Sequence, residues 1–254
     1  MSISSLRFFA LALTLGFSEK SLVLADDATA SKRSAYFIGN SVTDTIRYGP
    51  LAQLAKTRDI DLTWGRQMIP GAPLEWLYQH PDDGFNEEPY GGWQKALAGY
   101  SWDIVSIQPF DRHLHNKQEG QEDLGDVALI TRFANLAKLK NPKVQVYIYA
   151  RWPRITYDGK NKPFDKNDYD PAKPGSGNFP GWTNIHQFYK DGIHLNEAGS
   201  YAVAWTYFAT FFKQSPLSLT SAEGVIDQNL AGITQKTAWN TVIAIPATGV
   251  GPAP

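Results

Sequence analysis

Two stretches far apart in the chain carry side chains whose order suits nucleophilic chemistry: Gly39-Asn40-Ser41-Val42-Thr43-Asp44 and Asp191-Gly192-Ile193-His194. In the second, an acid stands three residues before a histidine. Three residues span at most ~10 Å when extended, and Gly192 lets the chain turn more tightly, so the Asp191 carboxylate is within reach of the imidazole Nδ1. That would leave Nε2 free to act as a base. The same residues also fit a plain polar turn with Asn196 as the N-cap of the helix that follows. Ser41 comes directly after the apolar, β-rich run Ser34–Ile38 and before a helical pattern. A buried strand that stops at Gly and Ser ahead of a helix displays a side chain at the carboxyl end of a parallel sheet. Its backbone N–H then lies near a helix N-terminus, where an anion is favoured. Ser41 therefore sits where a nucleophile would sit, although Ser and Thr are also ordinary helix caps.

The elements that must position these groups follow from periodicity. Ile46, Leu51, Leu54 and Ala55 give an apolar helical face up to Arg58, and Asp61–Gly65 reads as a second strand. After it comes Pro70-Gly71-Ala72-Pro73, where Gly71 fits a turn. Asp103–Ile107 is a third strand that Pro109 cannot continue, so Gln108 is a polar side chain delivered at its carboxyl end. The segment from Gly84 to Gly92 reads as irregular. Between Gly125 and Lys140, Val127, Ile130, Phe133, Ala134 and Ala137 form one helical stripe, and Val144–Tyr149 is a fourth strand. After His194 a helix carries Tyr201, Ala202, Trp205, Phe208, Ala209 and Phe212 on one face, a last helix is expected over Ser221–Thr241, and the Gly/Pro-rich tail from Ala247 is expected to fray. The Pro-, Gly- and aromatic-rich stretch from Arg151 to Trp182 is expected to be an ordered lid or wall beside the site.

Composition narrows the function classes. Residues 1–25 carry one early charge, Arg7, an apolar run Phe8–Phe17 and the small-residue end Val23-Leu24-Ala25, the pattern of a signal peptide. The run is too short for a membrane span, which needs about 20 residues. Residues 26–254 then fit a single domain. Hydrophobic residues make up 43% and aromatics 13%, as in a globular protein, and the net charge of −1 gives no bias toward nucleic acid or anionic lipid. With no cysteine, neither a disulfide framework nor a lipid-attached cysteine is available. His113-Leu114-His115 beside Asp111 invites a metal, but no third ligand stands at a recognisable spacing, so an exposed loop and no metal or cofactor is expected.

Taken in order, strand-Gly39-Asn40-Ser41-x-Thr43, an isolated Gly71 after the second strand, a polar residue after the third and Asp191-x-x-His194 near the end resemble the block pattern of the SGNH hydrolases, the GDSL-type esterases. The resemblance implies a flavodoxin-like fold, a three-layer α/β/α sandwich with a central parallel sheet, in keeping with the alternation of strands and helices. It further implies that Ser41 is the nucleophile, His194 the general base and Asp191 its orienting acid. The backbone N–H groups of Ser41 and Gly71 would then form two limbs of an oxyanion hole. Two positions depart from the family pattern. Asn40 replaces the usual Asp of Gly-Asp-Ser, and Gln108-Pro109 stands where the family has Gly-x-Asn-Asp, so Gln108 would be the third oxyanion donor through its amide. Three functions follow: an exported serine esterase acting on small esters, above all O-acetyl groups of a carbohydrate; a non-catalytic carbohydrate-binding relative; or an acyltransferase using the same triad.

Overall fold

In the computed structural model, residues 30–110, 114, 122–150, 152, 188–220, 226 and 228–251 are described. The leader 1–25, His113 and His115, and the expected lid apart from Trp152 lie outside the described residues.

Five strands form one sheet: β1 (Ser31–Gly39), β2 (Ile60–Met68), β3 (Phe85–Asn86), β4 (Ile104–Ile107) and β5 (Gln145–Ile148). Their order is β3-β2-β1-β4-β5, with β1 parallel to both β2 and β4, β5 parallel to β4, and the short β3 antiparallel at the edge. Side chains alternate across a strand, and β1 is buried on both faces. Ala35 and Phe37 enter one apolar layer with α1 (Tyr48–Lys56), α5 (Glu197–Phe212) and α6 (Gln228–Ala244). Tyr36 and Ile38 enter the other with α2 (Leu74–Gln79), α3 (Trp93–Gly99) and α4 (Asp126–Lys140). The protein is thus a three-layer α/β/α sandwich around a mostly parallel sheet. The chain steps from β1 out to β2 and then returns to β4 on the other side of β1, so the order reverses between β1 and β4. In open α/β sheets the crevice outside the carboxyl ends of the strands at such a reversal is the binding position.

Several expectations change in detail. The segment expected to be irregular contains β3, whose two residues are too few for any periodic signal. On α4 the buried face is Leu129, Phe133 and Ala137, while Val127 is 41% exposed; the stripe is turned from the expected one, with Leu129 inside the layer and Ile130 and Leu136 packed against it from either side. Helix α5 buries more than one face, since Ala204, Tyr207 and Phe211 are buried alongside Tyr201, Trp205 and Phe208. The tail does not fray at Ala247. Pro246–Thr248 forms a 3-10 turn in which Thr248 Oγ1 donates to the Val242 carbonyl at 2.7 Å and Lys213 Nζ donates to the Thr248 carbonyl. Among the described residues no helix is long and apolar enough to cross a membrane.

Candidate active site

At the end of β1 the chain makes a tight turn, with Thr43 N–H donating to the Asn40 carbonyl at 2.8 Å, and then enters a 3-10 turn over Thr43–Ile46. Gly39 is required by space: a Cβ there would sit 1.9 Å from Thr43 Oγ1 and 2.8 Å from Gln108 Cβ. Ser41 is lifted beyond the sheet by this turn and is half-buried. It stands at the β1/β4 reversal, since Gln108 directly follows β4 and donates its backbone N–H to the Ile38 carbonyl at 2.8 Å.

The histidine arrives on a separate loop. Asn196 N–H donates to the Phe188 carbonyl at 2.9 Å and Lys190 N–H to the His194 carbonyl at 2.8 Å, closing residues 188–196 into a narrow loop with Asp191 and His194 near its tip. Asp191 Oδ1 accepts the backbone N–H groups of Ile193 and His194, both at 2.7 Å, and its Oδ2 lies 2.9 Å from His194 Nδ1. A carboxylate on Nδ1 holds the proton there and turns Nε2 into the acceptor. Nε2 lies 3.0 Å from Ser41 Oγ. Burial pushes the Asp191 carboxyl up, but the backbone N–H of His194, its imidazole, the N–H of Ile193 and the histidine charge together outweigh it and hold the carboxyl below the usual aspartate range. Asn196 also caps α5, its Oδ1 accepting from Gly199 N–H at 3.2 Å. The cap by Asn196 and the hydrogen bond between Asp191 and His194 are both present.

Gly71 occupies the next turn. Ala72 N–H donates to the Ile69 carbonyl at 3.1 Å, with Pro70 and Gly71 at the central positions and Gly71 at φ 69°, the pattern of a type II turn. Its N–H is not part of the turn's closing bond, and Gly71 is exposed. The turn is tied to β1 by Ile69 N–H on the Gly39 carbonyl at 3.1 Å. Gln108, expected as the third oxyanion donor, is enclosed at the end of β4. It is 1% exposed, its Oε1 accepts Asn40 N–H at 3.3 Å and its Nε2 donates to the Pro109 carbonyl. A side chain so enclosed offers little surface to a substrate oxygen. In this position it supports the Ser41 turn from below, with one of its two amide N–H groups bonded to nearby backbone.

Contacts that join the site's parts were not readable in advance. Arg47 Nη1 pairs with Glu197 Oε1 at 2.6 Å, linking the Ser41 segment to the first turn of α5. Arg66 of β2 pairs with Asp44 and, through Nε at 3.0 Å, with Glu87 Oε1, while Tyr48 OH donates to Asp44 Oδ1 at 3.1 Å. The three ion pairs join residues distant in sequence that no local spacing announces, whereas Tyr48 and Asp44 stand only four residues apart. Among the described residues there is no group of three or more His, Asp or Glu arranged to hold a metal.

No protein-family model matches the chain, and no curated protein matches it. Its fold is similar to that of a DUF4886 family protein from Bacteroides uniformis seen in a crystal structure, with a TM-score of 0.50 and 18% sequence identity over 84% of this chain and 95% of that one. At that identity the likeness concerns the fold alone.

Proposed function

We propose that the protein is an exported serine ester hydrolase of the SGNH type that acts through an acyl-enzyme on small ester groups, with O-acetyl groups on carbohydrate as its substrate class. The observation that carries this is the unbroken relay Ser41 Oγ–His194 Nε2 at 3.0 Å and His194 Nδ1–Asp191 Oδ2 at 2.9 Å, at the crevice where an α/β sheet binds its ligands. In the first half-reaction Ser41 Oγ would attack the ester carbonyl as its proton passes to His194 Nε2. The carbonyl oxygen, now negative, would be received by the N–H groups of Ser41 and Gly71. Collapse of the adduct breaks the bond to the alcohol, which leaves with the proton from Nε2. Water then repeats the sequence on the acyl-Ser41 ester, giving the acid and free Ser41. Asp191 would keep Nδ1–H in place and stabilise the imidazolium in both halves.

Carbohydrate as the alcohol side is supported by one exposed ring near the carboxyl edge of the sheet, Phe85, with the Arg66 guanidinium 5.9 Å from its centroid. Phe85 is 55% exposed and pairs with Met68, which is paired with Gly39. Two strand spacings put it roughly 10 Å from Gly39 along the sheet. The exposed part of that ring suits the apolar face of a sugar. The test is mass spectrometry after treatment with a fluorophosphonate, together with hydrolysis of a chromogenic acetyl ester with and without an acceptor sugar. The adduct is expected on the peptide containing Ser41, and Ser41→Ala should lower turnover by about 10⁴-fold or more with little change in melting temperature. A Ser41→Ala variant that hydrolyses as fast as wild type would remove the serine mechanism. Transfer to the sugar in excess of hydrolysis would make the enzyme an acyltransferase.

A further inference from the structure

Asn40 carries more contacts than a residue beside a nucleophile needs for the turn alone. It is 4% exposed, and all four of its polar groups are engaged. Its backbone N–H donates to Gln108 Oε1 at 3.3 Å, its carbonyl accepts from Thr43 N–H at 2.8 Å, and its Oδ1 accepts from Val42 N–H at 3.1 Å. These three bonds shape the Asn40–Thr43 turn and leave the Ser41 N–H outside the turn's own bonding. The fourth leaves the turn altogether: Nδ2 donates to the Ala72 carbonyl at 3.2 Å. Ala72 closes the type II turn that presents the Gly71 N–H.

We infer that Asn40 is a positioning residue that sets the spacing between the Ser41 and Gly71 N–H groups, so that both meet one carbonyl oxygen. Its catalytic meaning rests on the hydrolase proposal above; its geometry does not. The amide is chosen by its partners. Val42 presents a donor and Ala72 an acceptor, and a neutral amide has one of each to offer. A carboxylate at this position would keep the bond from Val42 but set a second acceptor against the Ala72 carbonyl, in a pocket closed to water where an unmatched charge is costly. Gly-Asn-Ser in place of Gly-Asp-Ser is therefore matched to the turn that follows β2 in this chain.

Asn40→Asp isolates the lost donor with almost no change of shape, and Asn40→Ser provides a smaller variant should the carboxylate prevent folding. The measurements are kcat and KM for a chromogenic acetyl ester across pH, and amide hydrogen exchange of the peptide covering residues 66–77. In Asn40→Asp, kcat should fall about 10²-fold near neutral pH, the cost of a ~1 Å misplacement, with KM little changed. Relative to wild type, activity should recover toward acid pH as the introduced carboxyl takes up a proton and regains a donor. Exchange at the Ile69–Ala72 turn should quicken in both variants. Wild-type kcat with unchanged exchange in a folded variant would overturn the inference, as would a lower melting temperature with kcat untouched. Absence of hydrolysis by the wild type would end the hydrolase proposal alone, since exchange would still decide: unchanged protection overturns the coupling of the two turns, and faster exchange supports it.

Discussion

Asp191 does two jobs with two oxygens: Oδ1 closes the backbone of its own loop and Oδ2 holds the imidazole. Asp191→Asn retains an acceptor for the backbone but can present an amide N–H to Nδ1, which would favour the wrong tautomer. In a Ser-His-Asp hydrolase that change costs about 10⁴-fold in kcat with the geometry intact. The expected outcome here is a loss of that order with a melting temperature close to wild type; a turnover little changed would reduce the motif to a turn. Because the folded state lowers the Asp191 carboxyl below its ordinary value, its contribution to stability is present above the usual aspartate range and is lost as pH falls through the lowered value. The side chain is 49% exposed, so solvent screens that contribution and it is small. In the proposed mechanism the base must be a neutral imidazole, so activity should disappear earlier in an acid titration. Parallel pH profiles of kcat and of melting temperature check this: the rate should fall while the fold is still intact.

At the scale of elements, the site depends on how closely β1, the turn after it and the end of β4 approach. Gly39 is where they meet, and a methyl group there would overlap Thr43 Oγ1 and press on Gln108 Cβ. Forcing one carbon into such a space typically costs about 1–3 kcal/mol. Gly39→Ala should therefore lower stability by that order and, because Thr43 and Gln108 both hold the Asn40–Thr43 turn, should lower kcat as well. Denaturant unfolding with kinetics of the folded fraction separates the two effects. A fully stable and active variant would mean that the turn has more freedom than its contacts imply.

Across the whole molecule, the two apolar layers have different duties. The layer with α5 carries the loop of His194, whereas the opposite layer packs α3 and α4 against the sheet through Phe133, which is 0% exposed and meets Trp93 and Tyr78 ring to ring. Removing a buried Phe ring costs about 3–5 kcal/mol. Phe133→Ala should show a loss of that size in urea unfolding, while kcat per folded molecule stays near wild type. A large fall in kcat would show that strain passes through the sheet from one layer to the other.

The sequence by itself determined most of the frame. The four longer strands, the helices α1, α4, α5 and α6, and the strand-end positions of Ser41 and Gln108 all follow from local periodicity and from the residues that stop a strand. The Asp191–His194 pair was legible too, because three residues with a glycine between them cannot separate far. Tertiary structure alone decided the rest. It set Ser41 3.0 Å from a histidine 153 residues away, placed the Gln108 side chain under the Ser41 turn, turned the apolar face of α4, added β3 and tied Asn40 to Ala72. Each of these depends on which distant groups share a space, and a single sequence records residue types and local spacing while leaving such long-range partners unstated.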